Sequence, residues 1–452
     1  MDKNITRRDF LKIGGAGALA IGAAAACGPK KTAVSALQTG DGEMEYRINP
    51  NSGDKVSLLG YGCMRWPMIK DADGKDIVDQ EKVDELIDYA IAHGVNYFDS
   101  APVYLQGQSE AATGKSLSRY PRESYYVATK LSNIRGFEPT LEEGIEMYHK
   151  SLEYFRTDYL DYFLLHNIGS GAIFERRFVR NGLIDFLVKE REAGRIKNLG
   201  CSFHGQAQGF DELLALHDKY HWDFIQIQMN YVDWTHADPR RNTNAEYLYK
   251  RLDELQIPIT IMEPLLGGQL SNVPMNVMTK FKERDPNASV ASWAFRFVGS
   301  YPRVLSVLSG MTYMEHLVDN CKTFNGFHPM DDDEKAFMEE MAVLMREYPT
   351  VPCTNCKYCM PCPYGIDIPT IFAHYNQQIN DGSVPQNSAQ KDYRRLRKQF
   401  LTTYDKAVPT LRQADHCIGC GQCQVKCPQS IRIPNELQRI DRYIEQLKQD
   451  TL

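Results

Sequence analysis

The sequence predicts an α/β protein, a (β/α)8 TIM barrel followed by a small, mostly helical, cysteine-rich domain. Two observations carry that expectation. Short apolar runs alternate with stretches of helical period through residues 46–348. Eight of the twelve cysteines fall between Cys353 and Cys427, a metal-site distribution within residues 349–452. The 452 residues are otherwise ordinary globular material, 43% hydrophobic and 24% charged, which excludes a disordered or fibrous chain. A net charge of −6 gives no basis for nucleic acid or an anionic membrane surface as the main partner.

Residues 1–27 read as an export signal. Arg7 and Arg8 precede an uncharged stretch, Ile13 to Ala26, that is shorter than the ~20 residues a spanning helix needs. A charged start, a short apolar core and small residues before a cleavage point have that meaning. The paired arginines resemble a twin-arginine signal, which would place the protein in the periplasm. Cys27, after four alanines, resembles a lipoprotein cleavage site; its lipid anchor would be the one link to a membrane. Residues 28–45 carry Pro, Gly, Ser and Thr and read as a solvated linker.

Eight apolar runs supply the barrel strands: Val56–Leu59, Tyr97–Asp99, Tyr125–Ala128, Tyr159–Leu165, Ile196–Leu199, Phe224–Ile227, Ile257–Met262 and Val304–Leu308. Helical stretches lie between them, among them Gln80–His93, Thr140–Phe155, Ile184–Ala193 and Phe210–His217. A doubly wound sheet would alternate too, but no G-x-G-x-x-G follows the first run, which ends Gly60-Tyr61-Gly62-Cys63. In a barrel, residues just past each strand face the active site.

Four strand ends carry a matched set. Asp99 ends the second run, with Tyr104 just beyond it, Lys130 follows the third and His166 the fourth. A carboxylate, a phenol, an ammonium and an imidazole at one barrel mouth suit carbonyl reduction, where negative charge builds on oxygen and a proton must arrive. The phenol would be the acid, with Lys130 lowering its pKa, Asp99 holding Lys130, and His166 orienting the carbonyl. Each residue alone has a plain structural reading; all four at strand ends favour catalysis.

The segment Phe98-Asp-Ser-Ala-Pro-Val-Tyr104, with Ser109, Glu110, Gly114, Lys130 and His166, resembles the aldo-keto reductases. The likeness continues through Leu199-Gly-Cys-Ser202, Gln226 to Tyr231, Glu263 to Gly268 and Leu308-Ser-Gly310 to Asn320. It implies that Asp99, Tyr104, Lys130 and His166 form a catalytic tetrad, with NAD(P)H across the barrel mouth. By the same resemblance Ser202 and Gln228 would contact the nicotinamide. Met64, Met262, Leu265, Gly267, Gly268, Gly310, His316 and Asn320 would hold the rest of the dinucleotide. There are departures. Phe203 follows Ser202 where the family has Asn, and Met262 stands where an aromatic often stacks. The stretch Gly310 to His316 lacks the Lys and Arg used on a 2′-phosphate, so NAD versus NADP stays open.

Residues 353–363 form a C-x2-C-x2-C-x2-C-P run and residues 417–428 a C-x2-C-x2-C-x3-C-P run. In two-cluster ferredoxins the fourth cysteine of a run ligates the other cluster. Two [4Fe–4S] clusters are therefore expected: Cys353, Cys356, Cys359 and Cys427 on one, Cys417, Cys420, Cys423 and Cys362 on the other. Paired zinc sites would favour two-plus-two spacings, and disulfides are the remaining alternative for an exported chain. A subgroup of aldo-keto reductases carries such a dicluster ferredoxin module. Cys63, Cys201 and Cys321 read as buried small hydrophobes, and Trp66 and Trp234 as pocket walls.

The expectation is thus an exported, NAD(P)-dependent oxidoreductase acting on a small carbonyl or alcohol, a sugar included. Its clusters would exchange electrons with a redox partner protein or staple the tail. Two rivals stand beside it: a sugar epimerase or lyase recycling a tightly held nicotinamide, and a non-catalytic electron-transfer or dinucleotide-sensing subunit.

Overall fold

The computed structural model describes residues 42–132, 138–239, 242–346 and 350–452. The expected signal, Cys27 and the linker through residue 41 lie outside the described residues. Eight parallel strands close a barrel: β1 Leu59–Gly62, β2 Tyr97–Asp99, β3 Tyr126–Leu131, β4 Leu160–Ile168, β5 Ile196–Phe203, β6 Phe224–Gln228, β7 Ile259–Met262 and β8 Val304–Ser309. Each pairs with the next, and β8 returns to β1 through Val307 opposite Leu59.

The first strand differs from the sequence expectation. It starts at Leu59, and Val56 belongs instead to an antiparallel ribbon of Tyr46–Ile48 with Lys55–Ser57. Val56, Leu58 and Leu59 are all fully buried, so the apolar run crosses from ribbon to barrel without a break that polarity could mark. The ribbon's turn sits under the N-terminal strand ends. There Asn49 Nδ2 donates to the Tyr162 hydroxyl and to Asn198 Oδ1, each at 3.2 Å. That closes one end of the barrel and leaves the other for chemistry. The end of the expected linker also joins the fold: Met44 is buried and bridges to Asn325.

Helices begin where side chains supply the missing acceptors. Thr140 and Glu143 form a capping box at the start of α1, Leu141–Phe155. The expected helix Phe210–His217 is instead Ala207–Leu214 followed by a separate turn, His217–Tyr220. The tail has its own apolar core, in which Phe372, Phe400 and Leu437 join the helices α2 Ile368–Asn380, α3 Tyr393–Ala407 and α4 Ile433–Gln449. Among the described residues no helix is long and apolar enough to cross a membrane.

Glu110 is buried between strand and helix, accepting from Thr129 Oγ1 at 2.5 Å on β3 and Ser151 Oγ at 2.8 Å on α1. Burial pushes its carboxyl up to about 7, against the pull of those two hydroxyls. The folded state therefore holds a proton that the unfolded chain releases near pH ~4.5. That contribution to stability is complete below pH ~4.5 and is lost as pH rises through about 7. Urea melts at pH 5 and pH 8 should show Glu110→Gln losing less stability over this interval than the parent, by at most ~3 kcal/mol. Equal losses in the two proteins would assign the titration elsewhere.

Candidate active site

The four residues singled out at the strand ends meet at the open mouth. Asp99 is the last residue of β2, Lys130 lies near the end of β3 and His166 near the end of β4. Tyr104 follows β2 at the head of a turn in which Leu105 and Gln106 take left-handed φ values of 51° and 58°. Such backbone, unfavourable for side chains of this size, is characteristic of functional turns. Lys130 Nζ donates to Asp99 Oδ1 at 2.6 Å and to the Ser100 carbonyl at 2.7 Å, and both ions are buried. The ammonium lies 5.1 Å from the Tyr104 ring centre, and the His166 ring meets Tyr104 edge-on at 6.1 Å.

The electrostatics correct one expectation. Burial, reinforced by Tyr358, Asp99 and Glu263, pushes the Tyr104 phenol well above its usual range. Lys130, already paired with Asp99 and the Ser100 carbonyl, does not outweigh that burial. Tyr104 is thus a held proton, not a phenolate. Burial, Lys130 and Arg177 push the His166 imidazole well below its usual range, so it is neutral at pH 7. Its Nδ1 stands 2.7 Å from Ser132 Oγ, and Arg177 donates to the carbonyls of His166 and Asn167. Ser132 and Arg177 escaped the sequence reading, since neither stands in a motif. His204 escaped it too: burial pushes it down to about 4, and its Nδ1 has no partner among the described residues.

The cysteines form two neighbourhoods that interleave the two runs. Cys353, Cys356, Cys359 and Cys427 line one small cavity over Ile368, Phe372 and Ile433. Burial pushes the Cys423 thiol up to about 11, and Cys417, Cys362 and Cys420 are the thiols beside it. Both loops wrap alike. Asn355 and Lys357 take positive φ at the positions where the second run has Gly419 and Gly421. Asn355 N–H donates to Cys353 Sγ at 3.4 Å, a bond suited to a cluster thiolate. Among the described residues no three His, Cys, Asp or Glu side chains gather as single-ion ligands do.

The tail folds back over the barrel mouth. Gln429 Nε2 donates to Gln228 Oε1 and Gln269 Nε2 to the Cys353 carbonyl, each at 3.2 Å, and Arg65 donates to the Thr354 carbonyl. Between barrel and tail lies a cavity of about 1560 Å³, lined by Trp66, Tyr104, His204, Cys356, Tyr358 and Cys427 among others. Trp66 is a wall, as read from sequence; Trp234 packs on Tyr301 and Phe297 instead. Of the residues singled out for a dinucleotide, only Met64 lines this cavity. Ser202 Oγ accepts from Asn167 N–H, and Asn320 Nδ2 donates to Ser309 Oγ. Gln228 is held by Asp233 and Gln429. Gly267 lies against Thr354 and Gly310 against Arg65, whereas Gly268 faces open space. Met262 and Leu265 are half-buried, and His316 is exposed beside Tyr313.

Residues 58–342 match the model of the aldo/keto reductase family, and residues 352–432 match that of a 4Fe-4S dicluster domain. A probable aldo-keto reductase of Glycine max is 29% identical over 244 residues, 51% of this chain and 64% of that protein. D-arabinose 1-dehydrogenase of Saccharomyces cerevisiae is 32% identical over 166 residues, 34% of this chain and 45% of the relative. The chain thus spans less than two thirds of either relative's length. An aldo-keto reductase from Bacillus halodurans superposes with a TM-score of 0.54 at 20% identity, covering 66% of this chain and 96% of that one. A Klebsiella pneumoniae aldo-keto reductase solved with NADPH gives 0.51 at 18%, covering 67% and 95%. The family match takes in well over half of the chain, and together with the closed eight-stranded barrel it makes this protein a member of the aldo/keto reductase family, extended by a 4Fe-4S dicluster domain.

Proposed function

We propose that the protein is an oxidoreductase that reduces a carbonyl, or oxidises the corresponding alcohol, a sugar among the candidates. The observation that carries this reading is the buried Lys130–Asp99 pair beside Tyr104 and His166, at a mouth that opens on a large cavity. A carbonyl oxygen placed between Tyr104 and His166 takes the phenolic proton as negative charge develops on it. With Ser132 donating to Nδ1, neutral His166 keeps its Nε2–H to donate to the same oxygen and orient it. Lys130 holds its charge next to the phenolate left behind, and Asp99 and the Ser100 carbonyl keep the ammonium in place.

Two [4Fe–4S] clusters, held by the interleaved quartets, would supply one-electron transfer, and a redox partner protein would connect them to the cell. The family's usual hydride donor is a nicotinamide, as in the Klebsiella relative solved with NADPH; the two clusters, at one electron each, would be the other source of the electron pair. The Arg7-Arg8 pair and the apolar stretch before Cys27 support export by the twin-arginine route to the periplasm, with lipid anchoring at Cys27. Folded export suits clusters inserted before the chain leaves the cytoplasm.

Anaerobically purified protein should contain about eight iron and about eight acid-labile sulfide per chain. Stoichiometric zinc without iron would rule the clusters out. Tyr104→Phe should keep the fold, shown by an unchanged melting curve, yet lower turnover of a carbonyl substrate ~10²–10⁴-fold. Parental turnover by this variant would remove Tyr104 as the proton donor.

A further inference from the structure

We infer that the Cys353–Pro361 loop and Gln429 fill the place where this family's barrel would seat a dinucleotide, so that NAD(P)H does not bind across this mouth. The room beside the tetrad is left to the substrate alone. The inference rests on the oxidoreductase reading for what the cavity receives, but its central claim concerns binding and stands apart from turnover.

The observations come from the β5, β6, β7 and β8 sides of the expected berth. On the β7 side, a Cβ at Gly267 would lie 2.2 Å from Thr354 Cα, so the two backbones touch with no layer between them. Next to it Gln269 is tied to the Cys353 carbonyl, and the half-buried Glu263 carboxyl lies beside Thr354. On the β6 side Gln228, expected on the nicotinamide amide, already spends its Oε1 on Gln429 and its Nε2 on Asp233 Oδ2 at 2.6 Å. On the β8 side a Cβ at Gly310 would stand 2.8 Å from Arg65 Cδ, and the same Arg65 reaches across to the Thr354 carbonyl. On the β5 side Ser202 Oγ is turned to the Asn167 amide within a buried strand end.

A nicotinamide there would have to break these bonds and lift the loop that carries three cysteines of one quartet. The free space lies mainly beside the tetrad. The cavity of about 1560 Å³ is bounded by the ends of β1 to β5 and by Thr312 and Tyr313 beyond β8 on the barrel side, and by Cys356, Tyr358 and Cys427 on the tail side; Ser202, Gln228, Gly267, Gly310 and Asn320 do not line it. It exceeds the ~300–1,000 Å³ of ordinary small-molecule pockets, so a substrate bulkier than a single sugar ring fits between Tyr104 and the inner cysteines.

The test uses full-length protein with both clusters intact, prepared anaerobically. Equilibrium dialysis against NADPH and against NADH should show no saturable binding up to ~1 mM, a level that fills micromolar sites completely. Denatured protein analysed by chromatography should release far less than one dinucleotide per chain. Saturable one-to-one binding of either nucleotide, or release of about one per chain, would overturn the inference. The two readings fail separately: tight NADPH binding with an inactive Tyr104→Phe variant sinks only the closed berth. Absence of binding with a fully active variant sinks only the tetrad.

Discussion

The buried ion pair between Lys130 and Asp99 is the constraint on which the site depends. Two charges taken out of water are tolerated only when each is fully bonded. Here the ammonium has a carboxylate oxygen at 2.6 Å and a backbone carbonyl at 2.7 Å, while Gln226 reaches the second carboxylate oxygen at 3.4 Å. The pair joins the ends of β2 and β3, which sets the turn that presents Tyr104. Its charge also helps to keep His166 neutral. Water at the mouth would weaken every one of these interactions. The pair escapes that weakening because both side chains are buried at the strand ends, beneath the open mouth.

That arrangement changes what the tail is for in physical terms. Its own core would let it stand as a separate module, yet its inner loop bonds to Arg65 and Gln269 and its Gln429 to Gln228, on three different barrel elements. Cys356 and Cys427 line the same cavity as Tyr104. The residues meant to hold iron and the residues meant to move a proton thus face one space.

Much of this was legible in the sequence, for identifiable reasons. Strand ends in a barrel converge by topology, so Asp99, Lys130 and His166 could be grouped from chain position alone. The cysteine spacings encode how each loop wraps, down to the shared left-handed positions Asn355/Gly419 and Lys357/Gly421. The boundary of β1 was not legible, because Val56 to Leu59 is apolar on both sides of the true break. Nor was the docking of the tail. Thr354, Tyr358 and Gln429 act through long-range contacts that no local pattern signals, and Ser132 and Arg177 support His166 without a motif. The expectation that Lys130 would acidify Tyr104 failed because sequence shows the neighbours of the phenol but not the burial that outweighs them.

The central claim is that the inner cysteine loop roofs the catalytic mouth, and amide hydrogen exchange reads it directly. Exchange across residues 263–272 should be slow in the cluster-loaded protein and should rise sharply once the iron is removed and the loop loses its anchor. The ribbon of Tyr46–Ile48 with Lys55–Ser57, at the opposite end of the barrel, should exchange alike in both forms. Exchange over 263–272 that is indifferent to the iron would contradict the account.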